Sequence, residues 1–125
     1  MIFFAERRRE VMMHIENYML EMMGTYLKPI DTNWQPSDFL PDSASETFFQ
    51  DIKVLRENAK DLSYDLVAVL IGDTITEEAL PTYESWLSMV AGVDRSEEGG
   101  WMKWVRHWTA EENRHGDLLN KYLYL

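Results

Sequence analysis

Cysteine is absent from this 125-residue sequence. That excludes a disulfide scaffold, iron–sulfur ligation and a thiolate nucleophile, and it suits a reducing compartment. Positive charge is scarce: 12 Lys and Arg stand against 22 Asp and Glu, for a net charge of −10. Phosphates are offered no long basic face, so the balance argues against a general nucleic-acid binder. Long apolar runs are missing too, and none approaches the ~20 residues of a membrane span. The opening MIFF is too short for the core of a secretory signal, and RRR follows it instead of preceding it. The start also lacks the Ser-rich, acid-poor character of a transit peptide. We expect a soluble, cytoplasmic protein with neither a nucleic-acid nor a membrane partner.

What is present is apolar and aromatic. Hydrophobic residues make up 46%, with five Trp, six Tyr, five Phe and eight Met, far too many for a disordered chain. The length fits one domain with a modest core. Helical spacing and the absence of a convincing strand pattern point to an all-α fold of about four helices. The first runs over about 5–26, with Val11, Ile15, Tyr18, Met19 and Met22 at helical spacing. Prolines 29, 36 and 41 make 28–45 an extended connection, packed through Trp34, Phe39 and Leu40. The stretch 43-SASE-46 has the spacing of a capping box and opens a helix over 46–60, carrying Phe48, Phe49, Ile52 and Leu55. A third helix covers 64–91, starting near Ser63 and stopping at Gly92. A polar loop then leads into a fourth over 101–125. The sequence stops at KYLYL, an apolar helical run with no Gly, Asn or Pro to end it, so the chain reads as cut.

The fourth helix carries the most informative pattern. Trp101, Trp104, Trp108, Glu112, His115, Leu119 and Tyr122 recur at steps of three and four and share one face. A carboxylate and an imidazole therefore sit inside an apolar stripe. Burying a lone carboxylate costs several kcal/mol, so it calls for a cation or a metal as partner. Glu and His three residues apart project side by side, in the Glu-x-x-His spacing of carboxylate-bridged di-iron helices. Chance matches are common among 22 acidic residues, and it is the place in the stripe that singles this pair out.

The third helix offers a partner. Leu66, Leu70, Asp73, Glu77 and Leu80 share a face, whereas Glu78 lies about 100° round and is solvated. Pro81 removes the hydrogen-bond partner of the Glu77 carbonyl, so the helix bends beside Glu77. One Glu plus one Glu-x-x-His is half of the set a bundle di-iron site needs. Carboxylates with one imidazole suit iron or manganese better than structural zinc.

Three segments, 33-NWQPSDFLPDSAS-45, 72-GDTITEEALPTY-83 and 107-HWTAEENRHGDLLNKYLYL-125, resemble the soluble acyl-[acyl-carrier-protein] desaturases of the stearoyl Δ9 type. The resemblance covers roughly residues 28–125. It implies the N-terminal half of a ferritin-like bundle, one partial domain over 1–125, in a homodimer with a di-iron (Fe2+) centre. It implies an oxidoreductase of fatty acid biosynthesis that uses O2 and electrons from ferredoxin. The reaction places a cis double bond in an acyl chain carried on acyl carrier protein. By motif, Glu77, Glu112 and His115 match metal ligands, and Trp34 matches a tryptophan of electron entry or else anchors the Pro-rich loop. The family's second Glu and second Glu-x-x-His have no counterpart here. Trp86, Met89 and Trp108 are candidates for the substrate channel. The Met-rich first helix reads as adaptable packing, and Arg7, Arg8 and Arg9 as a solvated face. The rival reading is a non-enzymatic dimeric half-bundle that binds iron or another metal between two copies.

Overall fold

The structure, a computed structural model, describes residues 2–125, and of Ile2 the backbone alone. Among them are five helices and no strand: α1 (Ile2–Tyr26), α2 (Phe48–Ala59), α3 (Tyr64–Glu78), α4 (Leu80–Ser88) and α5 (Gly100–Tyr124). This is the expected all-α class. The proline-rich connection contains only two single 3₁₀ turns, Ile30–Thr32 and Pro36–Asp38. The chain forms two compact units. The first joins Met1–Asn33 with Leu80–Glu111, and the second joins Trp34–Ala79 with Glu112–Leu125.

One helix was expected over 64–91, and the structure divides it. The Ala79 N–H bonds the Thr76 carbonyl at 3.2 Å, a tighter turn that ends α3, and α4 begins at Leu80. Pro81 is the cause, since it has no N–H for the Glu77 carbonyl and its ring crowds that oxygen. α4 also stops at Ser88, before the expected end. Met89, Val90 and Val93 then bond three residues back, at 3.1–3.2 Å, and the chain reverses at Gly92 with φ +97°. A side chain at Gly92 would also meet the Arg9 carbonyl, so glycine is required twice over.

In the first unit the packed face of α1 shares only Met19 with the predicted one. Val11, Ile15, Tyr18 and Met22 are exposed, while Met19 is buried at 8% exposure. The contacts run along Arg9, Met12, Glu16 and Met19. Gly92 approaches Arg9 and Met12, and Gly100 approaches Glu16 and Met19. The selection is polar as well as apolar. Glu16 Oε1 accepts the Trp101 N–H at 3.0 Å, and the Trp101 indole N–H donates to the Met12 carbonyl at 2.9 Å. Glu16 thereby caps the start of α5, which has no acid of its own in its first turn. Replacing Glu16 by alanine should cost about 1–2 kcal/mol, the loss of a capping acceptor. Thermal unfolding followed by circular dichroism checks this, and an unchanged midpoint would contradict it.

In the second unit, α2 begins at Phe48, with Thr47 preceding it. The capping box read at 43-SASE-46 does not form. Asp42 Oδ1 takes the Ala44 N–H at 2.9 Å in a local turn after Pro41, and Ser45 Oγ accepts the Thr47 N–H at 3.1 Å. The side chain closes a turn before a helix can start. Phe48, Ile52, Leu55 and Ala59 are half-buried, whereas Phe49 is 83% exposed and leaves the expected face. On α3 the face is displaced by one residue. Val67, Leu70, Thr74 and Glu77 turn inward, while Leu66 and Asp73 stay exposed. Ser63 caps this helix as expected, accepting the Leu66 N–H at 3.2 Å. An apolar cleft of about 310 Å³, lined in part by Leu55, Val67, Leu70 and Tyr122, marks where α2, α3 and the end of α5 meet.

Candidate metal centre

The seven residues of the α5 stripe, Trp101 through Tyr122, are all half-buried, as the spacing predicts. At its centre, Glu112 Oε2 lies 3.1 Å from His115 Nδ1. α3 brings Glu77 to the same place. One ligand atom each from Glu77, Glu112 and His115 all fall within 4.8 Å of one another. Glu78 lies outside this group and takes a hydrogen bond from the Asn120 amide.

Gly116 makes the approach of α3 possible. A Cβ at this position would meet Glu77 Cβ at 3.3 Å and the Glu77 carbonyl carbon at 3.6 Å. The sequence reading passed over this glycine. Its signal was there, because glycine inside a helix costs about 1 kcal/mol relative to alanine and asks for a reason. Arg114 was passed over as well. It is 8% exposed, and its guanidinium carbon lies 5.6 Å from the centre of the Trp34 ring.

The electrostatics of the cluster favour an added positive charge. Burial raises the Glu77 pKa above its ordinary value near 4.5, and the Glu112 charge and a hydrogen bond with Glu112 push it further up. His115 pulls the other way and only in part. A carboxylate that resists ionising next to a second carboxylate is a group waiting for a counter-charge. Its stability linkage has a definite sign. With the folded pKa raised, the contribution is full below the unfolded value and is lost as pH rises through the folded one. Glu77→Gln should therefore stabilise the metal-free chain at neutral pH relative to the parent. The gap in melting temperature should close as pH falls toward 4.5. Melting curves of both proteins across that range decide it, and a gap that is constant with pH speaks against the assignment.

Trp34 enters the same unit from the proline-rich connection. Its indole lies parallel to the His115 imidazole, with an interplanar angle of 2° and centroids 5.5 Å apart, and Phe39 meets it edge-on at 5.7 Å. Asp38 Oδ2 holds the turn by accepting the Gln35 N–H at 2.7 Å, over a buried Pro36. The channel candidates lie in the first unit. Trp86 and Met89 are exposed, and Trp108 stacks on Trp104 at 6.1 Å.

Two carboxylates and an imidazole, gathered on helices with one atom each inside 4.8 Å, form a hard, oxygen-rich group that could hold a metal ion. The profile of the fatty acid desaturase family matches residues 7–125, and the chain belongs to that family. Stearoyl-[acyl-carrier-protein] 9-desaturase 5, chloroplastic, of Arabidopsis thaliana is 53% identical over 123 residues, covering 95% of this chain and 31% of that protein. The chloroplastic stearoyl-[acyl-carrier-protein] 9-desaturase of Olea europaea is 53% identical over 125 residues, covering 97% and 32%. Its counterpart in Ricinus communis is 52% identical over 120 residues, covering 93% and 30%. The chain thus spans about a third of the length of these relatives. No helix among the described residues is long and apolar enough to cross a membrane.

Proposed function

We infer that this chain serves an acyl-[acyl-carrier-protein] desaturase, supplying half the ligands of a di-iron centre. The observation that carries this is the meeting of Glu77, Glu112 and His115 within 4.8 Å, in a chain of the desaturase family. The donor set fits iron: hard carboxylates from two helices with one imidazole, in half of the bundle pattern. When bound, the iron pair supplies the redox chemistry by which O2 takes two electrons from ferredoxin and two from the acyl chain, leaving a cis double bond and two waters. The chain's own residues have simpler tasks. Glu112 and His115 stand side by side, with Oε2 3.1 Å from Nδ1, so that both would face the same ion. The stacking of Trp34 on that imidazole supports a role for it in electron entry. Trp86, Met89 and Trp108 are proposed to border the acyl channel.

Acyl carrier protein and ferredoxin are the proposed partners, in a homodimer. The proposed compartment is the cytosol, whereas the relatives named above are chloroplast proteins, and cell fractionation separates the two. Incubation of the iron-loaded protein with stearoyl-acyl carrier protein, reduced ferredoxin and O2 tests the activity. The expected product is lighter by two hydrogens. Trp34→Phe should lower ferredoxin-driven turnover severalfold while the iron content stays unchanged. Full turnover in that variant removes Trp34 from the electron path.

The rival, a dimeric half-bundle holding metal between copies, has one observation in its favour. α3 presents Tyr64, Ile71 and Ile75 outward, and a Cβ on Gly72 of the same helix would meet nothing within 4 Å. Metal-dependent dimerisation without desaturation would select it.

A further inference from the structure

We propose that Arg114 is a positioning residue for Trp34, holding the indole parallel to His115 and making it harder to oxidise. The inference rests on the reading of Trp34 as the point of electron entry, but its geometry stands independently. Arg114 and His115 are consecutive on α5, and both touch the same ring. The imidazole is stacked at 5.5 Å and the guanidinium lies over the ring at 5.6 Å. Phe39 meets the indole edge-on, so three side chains fix one ring. Trp34 itself comes from an irregular connection that has no helical ladder to orient it, which makes these contacts the source of its alignment.

The chemistry of the contact gives Arg114 a second effect. At 8% exposure its charge is poorly screened by solvent. A cation over an aromatic face is attracted to the neutral ring and repels a ring that has lost an electron. The charge therefore shields the indole from one-electron oxidation. A lysine keeps the charge but loses the flat stacking surface, and a methionine loses both.

The test uses the metal-free 125-residue chain labelled with 5-fluorotryptophan, with the Trp34 signal assigned by its loss in Trp34→Phe. Fluorine spectra are compared for the parent, Arg114→Met and Arg114→Lys. In parallel, each protein meets azidyl radical, a one-electron oxidant that leaves as azide, and oxidised Trp34 is counted by peptide mass spectrometry. In Arg114→Met the Trp34 resonance should move while those of Trp86, Trp101, Trp104 and Trp108 hold. Oxidation of Trp34 should rise about fivefold, the ratio equivalent to about 1 kcal/mol of cation–π attraction. Arg114→Lys should restore most of the protection and only part of the resonance position.

Equal disturbance by lysine and methionine would mean that the charge does nothing, and the proposal fails. It also fails if Arg114→Met leaves both readouts unchanged. Should that variant lose its helices, the lysine variant decides, together with the parent's nuclear Overhauser contact between Trp34 and the Arg114 δ-methylene. Absence of that contact overturns the proposal. Neither readout needs iron or turnover, so positioning can hold even if Trp34→Phe shows that electrons enter elsewhere.

Discussion

Replacing Glu112 or His115 by alanine should strip the protein of bound iron. Native mass spectrometry of the chain, loaded anaerobically with ferrous iron, reads ion count and oligomer mass together. Both residues sit on one face of α5, and the candidate ligand atoms there and on Glu77 lie within 4.8 Å. With three candidate donors gathered among the described residues, none is spare. Outer-shell partners alone carry about 10–100-fold in metal affinity, so loss of a direct ligand should cost at least that much. Glu97→Ala, an exposed carboxylate on the polar loop, is the control and should keep the parent's iron. Two irons per dimer in the parent, absent from both variants, would mean that half-sites join across copies. Iron that persists in Glu112→Ala and in His115→Ala would remove the centre from this position altogether.

The second large effect concerns association. The chain should run well above its monomer mass of 14.8 kDa in light scattering at micromolar concentration. Within the second unit, α3 turns Tyr64 (94% exposed), Ile71 and Ile75 (64%) outward along one line. Within the first, α1 does the same with Val11, Ile15, Tyr18 and Met22. Fully burying one such side chain gains about 1.5–3 kcal/mol, so covering several half-exposed ones gains several kcal/mol per copy. Contiguous apolar faces of this kind mark interfaces rather than solvent surface. Ile71→Glu with Ile75→Glu should shift the mass toward monomer while helix content holds. A parent chain that is monomeric across the concentration range would refute the claim.

The site was more legible in the sequence than the packing around it. Glu112 and His115 stood out because polar residues inside a regular apolar stripe demand a reason, and α5 keeps that stripe half-buried through all seven positions. Glu77 was legible through Pro81, although a full break at Ala79 replaced the expected bend. The faces of α1 and α3 were less legible. Periodicity reports the most apolar face, whereas packing on α1 follows Glu16, whose carboxylate fastens the start of α5. On α3, Thr74 packs inward because its hydroxyl is already bonded to the Leu70 carbonyl at 2.8 Å. A polar residue that satisfies itself locally behaves as a small apolar one. Arg114 escaped for the opposite reason, since an arginine buried over an aromatic ring has no signature in sequence spacing.

Gly116 would bear on which ion a loaded site takes. The distance between α3 and α5 at the cluster is limited by a hydrogen atom rather than a methyl group, since a Cβ there would already meet Glu77 at 3.3 Å. The glycine works as a spacer gauge. Oxygen–metal distances run from about 2.0–2.1 Å for magnesium to 2.3–2.6 Å for calcium, so a few tenths of an ångström separate ions of the same charge. A chain with alanine at this position would have a wider mouth between its carboxylates and a bias toward larger cations. The choice of ion would then depend on a neighbour of the cluster that has no side chain at all.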